Sequence, residues 1–321
     1  MRSKLLSKNS VRLCSEICLL LCSMNGYSQD SLLSKSQQDS IKREMDSTFD
    51  DAGFFRANSY WLASLNYMSN NIYLGRKDSV ASPYLTATVG YYHKTGLFVS
   101  ASASYLIEPG QERIDLSTID GGYSLFSGNF EGSIILSKYF FSSQSYNVRS
   151  EIEGSANLST SYEFGIVRPT LQGTLNFGSR NDYGLGLGLE HTYHLFNKRL
   201  TIIPGMMMNA STENYYNDYY EFRRYSLKRL RILQRVLGEI SVSAFVENPG
   251  AFKILDYEMI IPLTYSMKKF MLGLTPTFTI PLNPAVVDRT TTTKLGSKTK
   301  QIAKEKIDNS FFVLASISYS F

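Results

Sequence analysis

Seven charged side chains stand out because their neighbours alternate between apolar and small polar residues: Arg149, Glu151, Glu153, Arg168, Glu190, Asp256 and Glu258. A charge on one face of an alternating segment, with leucine or valine on the other, belongs to a wall that is wet on one side. Placed round an enclosed space, such groups bias the passage of ions and hydrogen-bond polar solutes. Placed in a filled interior, they pair with one another instead. Catalytic chemistry has thinner support. The histidines are three, His93, His191 and His194. His93 falls at a tight turn, and Glu190 and His194 are four apart, which on a strand separates them by about 13 Å. The order Glu190-His-Thr-Tyr-His194 also fails the helical His-Glu-x-x-His zinc pattern. Neither an enzyme nor a cofactor or metal site is expected.

A second group of charges breaks the alternation. In Glu221 to Leu237 the apolar residues Phe222, Leu230, Leu233 and Leu237 recur at helical spacing, predicting a helical insertion over 221–237. Arg223, Arg224, Lys228, Arg229, Arg231 and Arg235 give it a basic surface suited to lipid or lipopolysaccharide phosphates or an acidic partner. The plainer alternative is a rim helix with a solvated face. The lead-in Asn214-Tyr-Tyr-Asn-Asp-Tyr-Tyr220 reads as interfacial aromatics in preference to a sugar-contacting surface. Thr290 to Gln301, polar and basic, reads as a mobile loop, and Leu295-Gly-Ser-Lys lacks the glycine spacing of a phosphate loop.

The elements that must position these groups are strands. Period-two candidates fall at about 58–68, 83–93, 96–106, 113–126, 130–141, 146–160, 164–177, 183–195, 199–209, 239–247, 252–265, 270–282 and 309–321. Tyr183, Leu185, Leu187, Leu189 and Tyr193 share one face, with Gly184, Gly186, Gly188, Glu190 and Thr192 on the other. Leu97, Val99, Ala101, Ala103 and Tyr105 oppose Ser100, Ser102 and Ser104; Val167, Leu171, Leu175 and Phe177 oppose Arg168, Thr170, Gln172, Thr174 and Asn176. In the segment from Val148 to Leu158, Val148, Ile152, Ala156 and Leu158 are expected outside and Arg149, Glu151, Glu153, Ser155 and Asn157 inside. Links at 93–96, 127–129 and 248–250 suit tight hairpins, and longer connections cover about 69–82, 210–238 and 283–308. Thirteen candidates sit badly with an even-numbered closed sheet, so twelve strands are expected, with fourteen the alternative.

The first residues suggest export. Arg2, Lys4, Lys8 and Arg12 precede the apolar run Ile17 to Cys22, and Gly26 and Ser28 offer small residues before a cut at Gln29. That is a signal-peptide layout over 1–28, with an apolar run too short to span a bilayer. All three cysteines, Cys14, Cys18 and Cys22, lie inside it, so the exported part needs no disulfide. Of 33 basic and 28 acidic side chains, four and one fall in the leader, which leaves the remainder at +2. Near-neutrality offers no argument for nucleic acid. Residues 29–57 read as a polar periplasmic segment with a short helix near Lys42–Asp46, followed by the strands from residue 58.

The last segment is the most specific. Phe311, Val313, Ala315, Ile317, Tyr319 and Phe321 share one parity, against Ser310, Ser316, Ser318 and Ser320, with Phe312 and Leu314 the departures. It resembles the C-terminal strand of Gram-negative outer-membrane β-barrel proteins, whose terminal aromatic is part of the signal read by the barrel-assembly machinery. The resemblance is architectural and covers about residue 58 onward plus the leader. It implies an all-β, antiparallel transmembrane barrel in the outer membrane, in contact with lipid and lipopolysaccharide. The expected function is a porin-like passive channel or small-solute transporter, with a non-conducting binding barrel second and a lipid-acting enzyme third. Substrate and oligomeric state stay open.

Overall fold

In a computed structural model the described residues are 59–77, 82–145, 147–220, 241–267, 269–292 and 298–321. The leader, the polar segment to residue 57 and the basic stretch 221–237, with Arg223, Arg224, Lys228, Arg229, Arg231 and Arg235, lie outside them.

In chain order the strands are β1 (Tyr60–Met68), β2 (Ile72–Tyr73), β3 (Arg76–Lys77), β4 (Tyr84–Tyr92), β5 (Leu97–Leu106), β6 (Arg113–Ser127) and β7 (Phe130–Phe141). There follow β8 (Ile152–Tyr162), β9 (Arg168–Gly178), β10 (Asp182–Glu190), β11 (Tyr193–Leu195), β12 (Leu200–Ile202) and β13 (Gly205–Ser211). A short helix, α1 (Asn214–Tyr219), precedes β14 (Ser241–Val246), β15 (Lys253–Ile260), β16 (Leu263–Met267) and β17 (Phe270–Pro281). The last strands are β18 (Val286–Thr292), β19 (Lys298–Lys304) and β20 (Ser310–Ser320).

Twelve antiparallel strands close a ring in the order β1, β4, β5, β6, β7, β8, β9, β10, β13, β15, β17, β20. The seam joins β20 to β1, from Leu62 opposite Ser320 to Met68 opposite Leu314. β11, β12 and β16 are continuations of β10, β13 and β15 across a row of interruptions. Prolines cause these: Pro204 accepts from His191, Pro262 from Ile203 and Pro276 from Ile261, but none can donate in return. The surplus candidate is 239–247, which supplies β14 of a separate three-stranded sheet with β18 and β19. That sheet corrects two expectations. The turn at 248–250 joins two different sheets and is not a hairpin, and the supposed loop 290–301 contributes to the β18–β19 pair.

Alternation sorts the two faces. Leu97, Val99, Leu136, Leu158, Leu171, Leu187, Leu272 and Ile317 are exposed on the outside, whereas Ser100, Ser102, Thr118, Ser155, Gln172 and Ser318 are buried inside. Trp61, Tyr123, Phe130, Tyr162, Tyr193 and Phe270 girdle one end, and Tyr67, Tyr105, Phe140, Phe177, Tyr183 and Phe311 the other. So continuous an apolar band is unfavourable in water and suited to hydrocarbon, where closure also pairs the backbone groups. The fold is a transmembrane β-barrel. Among the described residues no helix is long and apolar enough to cross a membrane; the strands do the crossing.

The departures from alternation have physical causes. Phe312 and Leu314 point inward and are buried in the interior, Leu314 within the main apolar cluster. In β8 a bulge between Ile152 and Gly154 shifts the register by one residue and exchanges the faces. Ile152, expected to face lipid, is therefore buried; Val148, also expected there, lies in the turn before β8 and is buried in the main apolar cluster.

Candidate lumen and its capped mouth

The wall facing the interior is mostly serine, threonine, asparagine and glutamine, with a few carboxylates. On β6, Asp120 accepts a hydrogen bond from Ser100 at 3.4 Å. Across the ring, Asp256 and Glu258 sit two apart on β15, both fully buried. Asn209 on β13 donates its amide to Asp256 Oδ1 at 2.8 Å. Asp120 is also held by Ser137, and Asp256 by Glu258, while polar atoms without a protein hydrogen-bond partner recur around this wall on Ser102, Thr118, Thr170, Gln172, Asn209, Thr277 and Thr279.

Short turns mark the end that holds Trp61 and Phe321. At 93–96 the positive φ of Gly96 lets its N–H reach His93, and a side chain there would meet the Ser124 carbonyl at 2.3 Å. Just inside this end, Arg168 is held by Glu131 at 2.6 Å and Glu163 at 3.3 Å, and faces Glu190 across the β9–β10 ladder.

The opposite end carries the long connections and is covered by them. The chain after β1 folds inward as a β2–β3 hairpin whose two turn residues, Leu74 and Gly75, both have positive φ, 49° and 71°. That is the turn whose twist suits tight hairpins. Leu74 takes an unusual conformation for a leucine and is buried in the apolar cluster. Arg76 then reaches across the interior: Nε and Nη2 donate to Glu213 Oε1 at 2.9 and 2.7 Å, and the guanidinium also donates to the Leu282 and Asn283 carbonyls at 3.2 and 2.8 Å. Both Arg76 and Glu213 side chains are 0% exposed. Burial opposes the guanidinium charge, but the carboxylates of Glu213 and Glu305 outweigh it and raise the Arg76 pKa.

Helix α1 is fastened to the rim from outside its own sequence. Its preceding residue, Glu213, makes no side-chain cap, but Asp182 accepts from the Asn214 and Tyr215 amides, both at 2.7 Å. The tyrosines read as interfacial are instead packed in this cover. Tyr215, Tyr216, Tyr219 and Tyr220 are buried with Tyr73, Tyr84, Tyr139 and Val246. Tyr73 meets Tyr215 edge-on, accepts from Asn176 at 2.9 Å and lies under the Arg149 guanidinium at 4.4 Å. Burial raises the pKa of Tyr215 well above its ordinary value, so it stays a neutral phenol.

The seven expected lumen residues thus separate. Asp256 and Glu258 face the interior, Arg168 and Glu190 line one end, and Arg149 belongs to the cover. Glu151 is half-buried in the loop before β8. Glu153 is corrected: the bulge turns it outward, 70% exposed and paired with Lys138 at 3.1 Å. Asp120 and Glu131 were missed, although each continues the polar parity of its strand. The Arg76–Glu213 pair had no local signal. Among the described residues no group of three or more His, Cys, Asp and Glu is arranged to hold a metal.

The fold and polar interior define the class: transmembrane β-barrel proteins with a polar inner wall. No family model and no curated protein matches the sequence. Solved structures similar to it include one described as KdgM porin, at 10% identity and TM-score 0.41, covering 81% of this chain and 99% of that one. The NanC porin aligns at 8% identity and TM-score 0.42, covering 81% and 98%. The COG4313 outer membrane channel from Pseudomonas putida F1 aligns at 10% identity and TM-score 0.39, covering 84% and 98%.

Proposed function

We propose that this protein is a porin-like passive channel for small polar solutes in the outer membrane of a Gram-negative bacterium. The end with short turns faces the periplasm and the covered mouth faces outward, the usual distribution of turn lengths in such barrels. One observation carries the reading. The inward faces from β5 round to β17 are lined by small and polar side chains, Ser102, Thr118, Gln172, Asn209 and Thr277 among them, where an apolar core would carry leucine and valine. The tyrosine-rich cover, locked by Arg76 and Glu213, then acts as the gate of the outer mouth.

The test is conductance of the purified, folded barrel in a planar bilayer. Discrete steps support the channel. A barrel that keeps its heat-modifiable gel migration yet stays silent under all voltages refutes it, and leaves a barrel that binds through its outer segments.

A further inference from the structure

Among the described residues, the outward faces of the ring strands carry two charged side chains, Lys138 on β7 and Glu153 on β8. Every other charge on these strands is buried inside or, for Arg113 and Lys253, paired with a buried acid. Lys138 Nζ donates to Glu153 Oε2 at 3.1 Å, with the two side chains 52% and 70% exposed. Neither makes another hydrogen bond or ion pair among the described residues. The bulge between Ile152 and Gly154 is what brings Glu153 to the outer face beside Lys138.

Neighbouring rings set the depth. Phe140 follows Lys138 on the outer face of β7, and Phe177 stands opposite Gly154, the residue after Glu153. Both rings belong to the girdle at the covered end, so Lys138 starts one alternation inside it, where the wall faces lipid. A charge in that position is costly and calls for a partner. Within one barrel an exposed pair of this kind contributes little.

A lipid phosphate accounts for half of the patch: it suits Lys138 but is repelled by Glu153. A second copy of the same wall accounts for both. Two barrels inserted the same way round and meeting on one shared wall are related by a two-fold axis along the membrane normal, which matches heights and exchanges left and right. Lys138 stands opposite Gly154 across the β7–β8 ladder, so it and Glu153 lie side by side. The axis then sets each Lys138 against the partner's Glu153. Nearby, Leu136 pairs with Ala156 and Leu158 with Gly173, so large and small residues alternate across the outer faces of β7 to β9 and a like surface can interdigitate.

We infer that the outer wall around Lys138 and Glu153 is the interface of a two-fold dimer of this chain, closed by a ring of four alternating charges.

The test is sedimentation equilibrium of the folded barrel in density-matched detergent over a range of protein-to-detergent ratios, for wild type, Lys138→Glu and Glu153→Lys. Wild type should sediment as a dimer. Each reversal sets like charges face to face across the axis and should weaken association by roughly tenfold or more. An equimolar mixture of the two reversed proteins should recover the dimer, because acids on one copy then meet bases on the other. A role confined to one barrel predicts no such rescue. Heat-modifiable gel migration reports whether each variant folds. Lys138→Met, which adds no like charge, should also weaken the dimer and serves if a reversal misfolds. A wild type that stays single at every ratio overturns the interface, as do folded reversed proteins that associate like wild type. A single barrel that retains phosphate-bearing lipid, lost in Lys138→Met, overturns it too and assigns the lysine to a lipid headgroup. None of these outcomes depends on whether the barrel conducts.

Discussion

Replacing Arg76 by methionine should release the cover from the mouth it closes. The guanidinium makes four hydrogen bonds there, two to Glu213 and one each to the Leu282 and Asn283 carbonyls, with Glu305 3.8 Å away. Methionine keeps much of the length and none of the donors, and it leaves Glu213 buried with only the longer 3.5 Å contact to Lys253 among its ion pairs. Removing one partner of a buried pair costs about 3–5 kcal/mol. Little of that falls on the barrel, because Arg76 sits in the hairpin and takes no part in the ring ladder. It falls on docking of the cover. At about 1.4 kcal/mol per factor of ten, the open-to-closed ratio rises by roughly two to three and a half powers of ten. Single-channel recording should show greatly lengthened open times in Arg76→Met with gel migration unchanged. Adding Glu213→Met should return the channel toward its closed behaviour, since an apolar pair in place of a buried ion pair is close to neutral. Unchanged open times in a folded Arg76→Met protein would sink the account of the gate.

Three further outcomes follow from the same structure. Leu187→Arg places a charge on the outer face at mid-strand and should destabilise the barrel in lipid by about 2–4 kcal/mol, read from urea unfolding in vesicles. Gly75→Val, at φ 71° and with its Cβ 2.8 Å from that of Pro281, should strain the hairpin by about 1–3 kcal/mol, mimicking Arg76→Met in open time while barrel unfolding stays as in wild type. Glu153→Gln should change unfolding by less than about 0.5 kcal/mol, because it breaks only an exposed pair with Lys138; a larger loss would mean that the bulge does not turn this residue outward.

Several features were legible in the residues alone. Alternation in Leu97–Tyr105 and Tyr183–Leu189 assigns lipid and lumen faces because neighbours along a strand point to opposite sides whatever the rest of the chain does. Even the even strand number, which required one of thirteen candidates to be discarded, follows from the need to close an antiparallel ring with both ends at one mouth. Which candidate was surplus did not. Nothing in 239–247 distinguishes it locally from a barrel strand; only its pairing with β18, outside the ring, does so. Glu153 was misplaced because one extra residue at the bulge breaks the alternation: Ser155 and Leu158 keep their expected faces, whereas Ile152 turns inward and Glu153 outward, and the residue that bulges is chosen by its partner strand.

The sequence by itself therefore determined the class of fold and the polar character of the interior, since both rest on short-range pattern. The cover over one mouth and the buried polar rows of the interior were decided by tertiary structure. Arg76 and Glu213 are 137 positions apart, and Gln172, Asn209 and Asp256 belong to separate strands. Their meeting depends on closure of the ring and on one inward-folded hairpin, and no local periodicity carries that information.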